Sequence, residues 1–484
     1  MRTVFFWLLS FFLFLLPWQT RWIWRQGEIN GVPWEYGTFS IYTTEIIFWL
    51  AAIFLLISLW QQQKLKIAWR EKNRKVLGII GLLIFYFVFS ILHSLSPEIS
   101  YQYIFHLLEG LAVVSCIVIL RDNSVIPAKA GIQASEQIPD PGSRFGMTSG
   151  IAMKVALWLG GVVQGIIACW QFFSQNISAN KWLGLASHAP QDLGTSVVEF
   201  GGERWLRAYG SFGSPNSLGI YLAVCLIVGL IIYNNLHENN WRKILISSGQ
   251  VIITTGLVLS FSRSAWLAAA CGLLFYFLLL IGYPHFSSVI PAKAGIQTSL
   301  SNNRPDSRPR SESRTSFRGN DKLIGFIKQL LIISAPIVCL FIIFQPLFLA
   351  RFNTENRLEY KSVNERVGQY TEFKKVFSEY PLFGVGPGAY TFTLSKMKPN
   401  VNVYELQPTH NIYLLTLAEW GIVGSIFWLV IYGFWSWQIW KNNKIWIPVI
   451  FVLLVAGLFD HWSYTLYAGM ILWWVIWGLE LQKK

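Results

Sequence analysis

Residues 216–233 read NSLGIYLAVCLIVGLIIY, a stretch without a charged side chain. A helix that crosses a bilayer needs about 20 mostly apolar residues, and this stretch is typical of one. Similar stretches recur along the whole chain. The predicted spans are residues 3–18, 40–60, 76–94, 101–120, 151–173, 216–233, 243–260, 264–283, 325–347, 411–436, 445–459 and 463–480. The sequence therefore predicts an all-α polytopic membrane protein with about 12 transmembrane helices, forming a single transmembrane domain over residues 1–484.

The composition excludes a soluble domain. Of 484 residues, 53% are hydrophobic and 13% are charged, whereas a soluble domain has roughly 25% charged residues. All five cysteines fall within predicted spans, where a thiol behaves as a small hydrophobic group, so no disulfide framework or metal-binding spacing is indicated. The first apolar stretch has the length of a signal-peptide core, but PWQT follows at residues 17–20 instead of small residues. We expect it to be retained as the first helix.

Lysine and arginine are distributed unevenly among the loops. With the N-terminus in the cytoplasm, most of the 39 Lys and Arg residues lie on the cytoplasmic side, in agreement with the positive-inside rule. We therefore predict that both termini are cytoplasmic. The net charge of +14 follows from this bias, so we expect contacts with membrane lipids and no binding of nucleic acid.

Two cytoplasmic loops contain the same ten residues, SVIPAKAGIQ, at positions 124–133 and 288–297. The surrounding segments, 121–150 and 284–322, are polar, rich in Pro, Ser and Arg, and lack helical or strand periodicity. They resemble translated dispersed repeats inserted where the packing is not disturbed. A partner-binding segment is the alternative, but we assign neither loop a catalytic role.

The connection 351–409, between helices 9 and 10, lies on the opposite side and is long for a loop without a function. Apolar residues recur there at spacings of three and four, which predicts an amphipathic helix. They are Val363, Val367, Tyr370, Phe373, Phe377 and Tyr380. Ser362 and Glu365 form a capping-box pattern at its start, and Pro381 ends it. Arg366, near the start, faces either water or a site.

The sequence PLFGVGPG follows at residues 381–388. Glycines permit close backbone approach and anion-binding turns, but this spacing matches neither a P-loop nor a dinucleotide-binding fingerprint. Taken alone, the pattern indicates a turn, with contact to a substrate as the alternative.

Three predicted helices begin on the outer side with a polar cap and a basic or titratable residue. Ser214-Pro215-Asn216 opens the sixth span shortly after Arg207, Ser262-Arg263 opens the eighth, and Thr409-His410-Asn411 opens the tenth. Helix N-termini present unpaired N–H groups and bind phosphate readily. Three such ends on one side indicate a site for an anionic substrate.

Each of these residues also has a structural interpretation. Arg and His near the ends of spans often extend to the interface without a further function. Asp460 and His461 lie on the same outer side and are weaker candidates. His106 and Glu109, three residues apart inside the fourth span, can form a buried pair or a proton relay, and we favour a structural pair.

The motifs, in order, resemble the O-antigen ligase and polymerase superfamily of bacterial inner membranes. The resemblance covers roughly residues 150–435. It rests on RAYGSFGSPN at 207–216, SFSRSAW at 260–266, PLFGVGPG at 381–388, THN at 409–411 and EWGIVG at 419–424. It implies an integral-membrane, GT-C-like glycosyltransferase that uses an undecaprenyl-pyrophosphate-linked glycan on the periplasmic face, with lipid A core as the acceptor of a ligase.

The residues suit that chemistry. Arginine stays charged and forks onto phosphate oxygens, so we assign Arg207 and Arg263 to the pyrophosphate, with Arg366 and Asn216 as further binding residues. His410 can be the base that activates the acceptor hydroxyl. The outer loops contain no Asp-x-Asp pattern, so we expect no metal and no other cofactor, and attack opposite the leaving group would invert the anomeric centre.

Several functions remain compatible with the sequence. A ligase, a polymerase and a protein O-oligosaccharyltransferase would all use the same donor and the same site. A solute transporter would instead need discontinuous polar helices near the middle of the membrane and repeated halves.

Overall fold

The computed structural model describes residues 2–61, 74–121, 149–236, 240–282, 313–353 and 355–480. Helices make up 73% of it. They are α1 (Arg2–Leu15), α2 (Thr43–Gln61), α3 (Arg74–His93), α4 (Pro97–Arg121), α5 (Ser149–Ser174), α6 (Pro215–Asn235), α7 (Asn240–Leu259), α8 (Arg263–Ile281), α9 (Ser313–Ile343), α10 (Gln345–Phe352), α11 (Arg357–Glu379), α12 (Tyr390–Met397), α13 (Ile412–Asn443), α14 (Ile447–Ala456), α15 (Trp462–Thr465) and α16 (Tyr467–Glu480).

Each of the twelve predicted apolar stretches coincides with a helix, which agrees with an all-α polytopic membrane protein. Within the described residues, eight helical segments are long and apolar enough to cross a membrane, and Ile412–Ala456 counts among them as one segment. Thr3–Leu15 and Ile84–His93 are apolar but shorter. The number of twelve spans therefore stays a prediction.

The repeat-containing insertions fall largely outside the described residues, including both copies of SVIPAKAGIQ. Helix α9 begins at Ser313, so it includes the last residues of the second segment, 284–322, in which the sequence shows no helical periodicity. The assignment of the two segments as insertions stays a prediction.

Short strands occur that the sequence analysis did not predict. They form three antiparallel pairs: β1 (Arg21–Arg25) with β4 (Phe39–Tyr42), β2 (Glu28–Ile29) with β3 (Val32–Pro33), and β5 (Val197–Phe200) with β6 (Glu203–Leu206). All lie in connections between apolar helices. The pairs are too short to show a clear alternation of apolar and polar residues, which is why the sequence pattern did not reveal them.

Helix α6 lies at the centre of the helical bundle. It packs against α5, α7, α8 and α14, and nearly all of its residues up to Ile232 are buried. A helix that is apolar on all sides and buried on all sides fits this position. Because α6 begins next to α8 and α14, its N-terminal residues meet the ends of those helices.

Helix α11 differs from its prediction at one end only. It ends at Glu379, before Pro381, as expected, but it begins at Arg357, five residues before the predicted cap Ser362. The capping-box prediction is therefore wrong. Val363 and Val367 on the predicted apolar face are exposed, whereas Phe373 is buried, so only the second half of the helix packs with an apolar face.

Helix α13 is interrupted at Gly421, whose φ of 63° is not helical. The 381–388 loop fills the interruption. The N–H groups of Val385 and Gly386 donate to the carbonyl oxygens of Ala418 and Glu419, each at 3.0 Å. In the opposite direction, the N–H groups that follow Gly421 donate to Pro381 and Leu382 at 2.9 and 3.1 Å. The backbone groups released by the interruption are thus bonded, as burial requires.

Candidate active site

A cavity of about 560 Å³ lies at the start of α6 and α8, beneath the first half of α11. Its lining is dominated by basic side chains, and we call it the cationic cavity. Its basic residues are Arg204, Arg207, Arg263, Arg351, Arg357, Lys361 and Arg366. Glu365 is the acidic residue of the lining, and Asn216 is also part of it. All four residues predicted to bind pyrophosphate therefore line the same cavity.

Arg207 is buried in the connection between β6 and α6. Its Nε donates to the carbonyl oxygen of Ser260 at 2.9 Å, and its Nη2 donates to Oδ1 of Asn216 at 2.9 Å. Burial, and secondly the positive charge of Arg351, lowers the pKa of Arg207 to about 9. The side chain is therefore still positive at neutral pH. A buried cation with no carboxylate within ion-pair distance, among the described residues, is a strong site for an incoming anion.

Asn216 joins Arg207 to a second buried group. Its Oδ1 accepts from Arg207, and its Nδ2 donates to Oδ2 of Asp460 at 3.2 Å. Asp460 is itself fixed because its Oδ1 accepts the backbone N–H of Trp462 at 2.8 Å. Asn216 thus lines the cavity as predicted, and its contacts also hold Arg207 in position.

Arg263 and Arg351 share one carboxylate. Nη2 of Arg263 lies 2.7 Å from Oε2 of Glu359, and Arg351 pairs with the other oxygen of Glu359. The guanidinium of Arg351 also donates to the carbonyl oxygen of Phe261, at 3.2 and 3.0 Å. Arg263 donates to the carbonyl oxygen of Arg351 at 2.8 Å. These bonds attach the beginning of α11 to the beginning of α8.

The cationic cavity keeps a net positive charge after its ion pairs are considered. Glu359 is shared by two arginines, Glu199 pairs with Arg204 and Arg357, and Glu365 lies 3.7 Å from Lys361. Three carboxylates therefore face seven basic residues. Within the described part of the chain, neither Arg207 nor Arg366 has a carboxylate partner, so these two cations are available to an anion.

The three predicted helix starts have the expected caps. Ser214 accepts the N–H of Ser217 at the start of α6, with Pro215 at the first helical position, and Ser262 accepts that of Ala265 in α8. At the start of α13, Asn411 accepts from the N–H groups of Tyr413 and Leu414. The starts of α6 and α8 border the cationic cavity directly. The start of α13 lies beside it, because Ile412 donates to Gly457 near Phe459 of the lining.

His410 is half-buried next to the cavity, although it is not part of the lining. Gln369 fixes its ring. The Oε1 atom of Gln369 accepts the backbone N–H of His410 at 3.0 Å and lies 2.9 Å from Nδ1. Because an amide oxygen only accepts, Nδ1 must carry the proton in the neutral ring. Nε2 then presents a lone pair and can act as the base.

The environment of His410 favours the neutral ring. Burial lowers the pKa of His410 and nearby Arg366 lowers it further, while Asp460 and Glu365 oppose the change. The ring centroid of His461 lies 5.1 Å from that of His410. Burial and the neighbouring His410 lower the pKa of His461 to about 4, so this ring is also neutral at pH 7. A neutral imidazole can accept a proton from a hydroxyl group.

Three further residues of this site, Gln369, Arg351 and Glu359, were not predicted from the sequence. Gln369 lies three residues after Arg366, on the same face of α11, and this spacing is the signal that could have identified it. Arg351 and Glu359 have no local signal. Their roles depend on Phe261 and Arg263, which are about ninety residues earlier in the chain.

The glycine loop and the His106–Glu109 pair, also singled out in the sequence, lie outside the cationic cavity. The glycines of the 381–388 loop are packed against α13 and are not part of the cationic cavity, whereas Gly388 borders a second, smaller cavity. The spacing of His106 and Glu109 predicts that these two residues pair. In the structure, His106 pairs with Glu45 of α2, and Nε2 lies 2.9 Å from Oε1.

Comparison with known proteins agrees with the motif resemblance. Residues 249–429 match a family model described as O-antigen ligase. The matched region contains Arg263, Arg366 and His410, while Arg207 and Asn216 precede it. The resemblance to the O-antigen ligase and polymerase superfamily is thereby confirmed, and it supports a membrane glycosyltransferase in general terms. No curated protein matches the chain.

Proposed function

From this O-antigen ligase-type region, we propose that the protein moves a glycan from undecaprenyl pyrophosphate to lipid A core. The observation that carries the proposal is the cationic cavity, in which Arg207, Arg263, Arg366 and Asn216 come together from three separate parts of the chain. A polyprenyl diphosphate carries its negative charge at the point where the glycan is attached. Each charge-assisted hydrogen bond to it is worth roughly 1.5 to 3 kcal/mol.

The proposed reaction is a single displacement. The acceptor hydroxyl gives its proton to Nε2 of His410 while its oxygen forms a bond to the anomeric carbon of the donor glycan. The bond between that carbon and the phosphate oxygen breaks, and the electron pair leaves with the diphosphate. Arg207, Arg263 and Arg366 stabilise the charge on the leaving group. Attack opposite the diphosphate inverts the anomeric centre.

The arrangement of charges supports a reaction without a metal ion. A metal that bridged the diphosphate would need carboxylate ligands, but three carboxylates at the cavity, those of Glu359, Glu199 and Glu365, pair with basic side chains. The arginines and the capped starts of α6 and α8 supply positive charge at the same place.

The proposed orientation follows from the distribution of basic residues in the sequence. Both termini are placed in the cytoplasm of a bacterial inner membrane, so that the starts of α6, α8 and α13 and the cationic cavity face the periplasm. A lipid-linked donor would then approach the cavity from the outer leaflet, and the acceptor would approach His410 from the same compartment.

A solute transporter is expected to have discontinuous polar helices, and α13 is indeed interrupted. In a transporter, the backbone groups at such an interruption coordinate the ion or the substrate. Here the carbonyl groups of Ala418 and Glu419 accept from the 381–388 loop, and the following N–H groups donate to it. The interruption therefore holds the loop in place and offers no comparable ion site, which favours the transferase.

The test is deletion of the gene, followed by a lipopolysaccharide gel and analysis of lipid-linked glycans. Loss of long chains from the core, with free long chains on the carrier, is expected for a ligase. Single repeats on the core would instead identify a polymerase, and lost glycoprotein with normal lipopolysaccharide would identify a protein O-oligosaccharyltransferase. Unchanged glycans in all fractions would contradict the proposal as a whole.

A complementation series connects the phenotype to the site. The deletion strain receives the wild-type gene, a His410→Ala variant or a His188→Ala variant at matched levels in the membrane. His188 stacks on Tyr209, is not part of the cavity lining and serves as the control histidine. Restoration by the wild type and His188→Ala, but not by His410→Ala, is expected. Normal surface glycan with His410→Ala would exclude the proposed base.

A further inference from the structure

Three potential metal ligands come together inside the helical bundle, away from the cationic cavity. Glu45 lies in the first turn of α2, while His106 and Glu109 lie one turn apart on α4. One ligand atom from each residue lies within 4.8 Å of the other two, and Nε2 of His106 is 2.9 Å from Oε1 of Glu45. All three side chains are buried, with exposed fractions of 3%, 8% and 0%. We call these residues the Glu-His-Glu cluster.

The charge of this cluster is not balanced by protein groups. In the described part of the chain, no lysine or arginine forms an ion pair with Glu45 or Glu109, and His106 can neutralise at most one of the two carboxylates. A buried carboxylate without a cation is costly, so the cluster must bind either a proton or a metal ion.

The environment of Oε2 of Glu109 is what a metal ion would require. Oε2 of Glu109 is fully buried and no group among the described residues donates a hydrogen bond to it, although the Glu45 carboxylate lies close enough to share a proton with it. The other oxygen, Oε1, accepts from the hydroxyl group of Tyr467 at 3.0 Å. A buried acceptor that is left without a partner is rare in folded proteins, and here it lies beside an imidazole and a second carboxylate.

The surroundings orient the ligands as they do in metal centres. The backbone N–H of Tyr42 donates to Oε2 of Glu45 at 2.7 Å, which directs Oε1 toward His106. Tyr467 holds Glu109 in the same way, and the rings of Tyr42 and Tyr467 stack with centroids 4.6 Å apart. Such supporting hydrogen bonds fix the ligands of metal sites and raise their affinity.

The site also has an open side. A cavity of about 80 Å³ borders the cluster and is lined by Tyr42, His106 and Tyr467 together with residues of the β1–β4 region. It has room for a water molecule as a fourth ligand and offers a route for an ion to enter. Three protein ligands and one open position are a common arrangement for Zn²⁺.

We propose that Glu45, His106 and Glu109 bind one divalent transition-metal ion, with Zn²⁺ or Mn²⁺ as the matching class. One imidazole and two carboxylates suit these ions better than Mg²⁺, which prefers oxygen ligands only and keeps several waters. The ion joins α2 to α4 and, through Tyr467, to α16. None of the three ligands lines the cationic cavity, so the site is structural and independent of the proposed glycan transfer.

The test uses the full-length protein in detergent, purified with a tag that contains no histidine. Metal content is measured by mass spectrometry on the untreated protein, after EDTA, and after incubation with Zn²⁺, Mn²⁺ or Mg²⁺ followed by desalting. About one Zn²⁺ or Mn²⁺ per chain is expected, with a higher unfolding temperature and no comparable retention of Mg²⁺. No retained or rebound transition metal would show that a proton occupies the cluster, and the proposal would be wrong.

Matched variants locate the ion. His106→Gln and Glu109→Gln should each weaken Zn²⁺ binding at least about tenfold. His188→Gln replaces a histidine outside the cluster and outside the cavity that borders it, and should bind like the wild type. Equal binding by all three variants would overturn the assignment.

A measurement on the wild type avoids any dependence on the folding of variants. X-ray absorption of the Zn²⁺-loaded protein should show nitrogen and oxygen ligands only, including one imidazole. Sulfur in the ligand shell would assign the ion to cysteine and contradict the proposal.

Discussion

The 381–388 loop and part of the cationic cavity come from the connection between α10 and α13, yet the two regions use their polar groups in opposite ways. In the loop, backbone donors and acceptors are bonded to the interruption of α13. In the cavity, seven basic side chains face three carboxylates, and positive charge is left over. The polar groups of the first region are bonded within the protein, whereas the second region keeps unpaired positive charge, which our proposal assigns to an anionic substrate.

This difference shows which sequence signals are informative about ligands. The loop has the more recognisable motif, but its glycines serve close backbone packing: a Cβ on Gly384 would lie 2.4 Å from the backbone of Glu419. The cavity has no compact motif, since Arg207, Arg263 and Arg366 are spread over the chain. We therefore take unpaired charge, more than glycine content, as the signal for the candidate binding site.

The largest effect is expected from Gly421→Ala, which tests whether the loop region is structural. The residue has a φ of 63°, and an added Cβ would lie 2.3 Å from the carbonyl oxygen of Leu382. We expect a loss of more than about 4 kcal/mol of folding free energy. The measurement is the yield of monodisperse protein in detergent and its unfolding temperature.

Gly433→Ala, in the same helix, is the matched control because an added Cβ there would meet nothing within 4 Å. It should be neutral or slightly stabilising. If Gly421→Ala unfolded at the temperature of Gly433→Ala, the loop would not have the structural role described.

His410→Ala should show the reverse pattern, with activity lost and the fold retained. Removal of a general base typically lowers the rate about 10²- to 10⁴-fold. Glycan transfer is measured with purified protein and a lipid-linked donor, and the unfolding temperature is measured on the same sample. An unfolding temperature that fell together with the activity would mean that the two regions differ less than their contacts indicate.

Acidification should destabilise the folded protein, because the buried histidines His461 and His410 resist protonation. The pKa of His461 is lowered to about 4 from an ordinary value near 6.5, so the folded state resists protonation that the unfolded chain accepts. Stability is therefore full above pH 6.5 and falls as the pH decreases toward 4. From this residue alone, about 2 kcal/mol should be lost by pH 5.

His410, whose pKa is also lowered, contributes in the same direction, and Asp460 opposes both shifts. Unfolding temperatures between pH 7.5 and 5 measure the effect. A His461→Gln variant should show a shallower decline, and an identical slope in this variant would argue against a buried, neutral His461.

The smallest effect is expected from single arginines of the cavity. Arg366→Ala removes a cation without a carboxylate partner among the described residues and should lower transfer about 10- to 100-fold, corresponding to about 1.5 to 3 kcal/mol. Arg357→Ala is the control, because its side chain is 73% exposed and already pairs with Glu199. Equal losses in both variants would show that the total positive charge of the cavity, and not the unpaired cations, determines activity.

The sequence was most informative where one property repeats along the chain. Every apolar stretch coincides with a helix, and the caps Ser214, Ser262 and Asn411 begin their helices as expected. These predictions succeed because apolar length and capping are local properties. The start of α11 was misplaced because Ser362 and Glu365 imitate a cap, whereas Glu359, one turn earlier, is held by Arg263 and Arg351.

For the candidate site, the sequence indicated several of the residues but not the contacts between them. Basic residues at helix starts indicated Arg207, Arg263 and His410, but the sequence could not show that Gln369 fixes the tautomer of His410. It also indicated His106 with Glu109 and missed Glu45, which comes from another helix. Such partners depend on tertiary contacts, which carry no local pattern.

The interruption of α13 has a consequence for how the protein is made. The two parts of the helix are held by the 381–388 loop, which is synthesised just before them. The loop also bonds to the α3–α4 turn and the start of α4: the N–H of Leu95 donates to the carbonyl oxygen of Val385, and the hydroxyl group of Ser100 donates to that of Pro387. That turn leaves the ribosome almost three hundred residues earlier. The C-terminal half therefore completes its fold only against an N-terminal half that is already inserted, and truncation before residue 381 would leave Leu95 and Ser100 without the loop to which they donate.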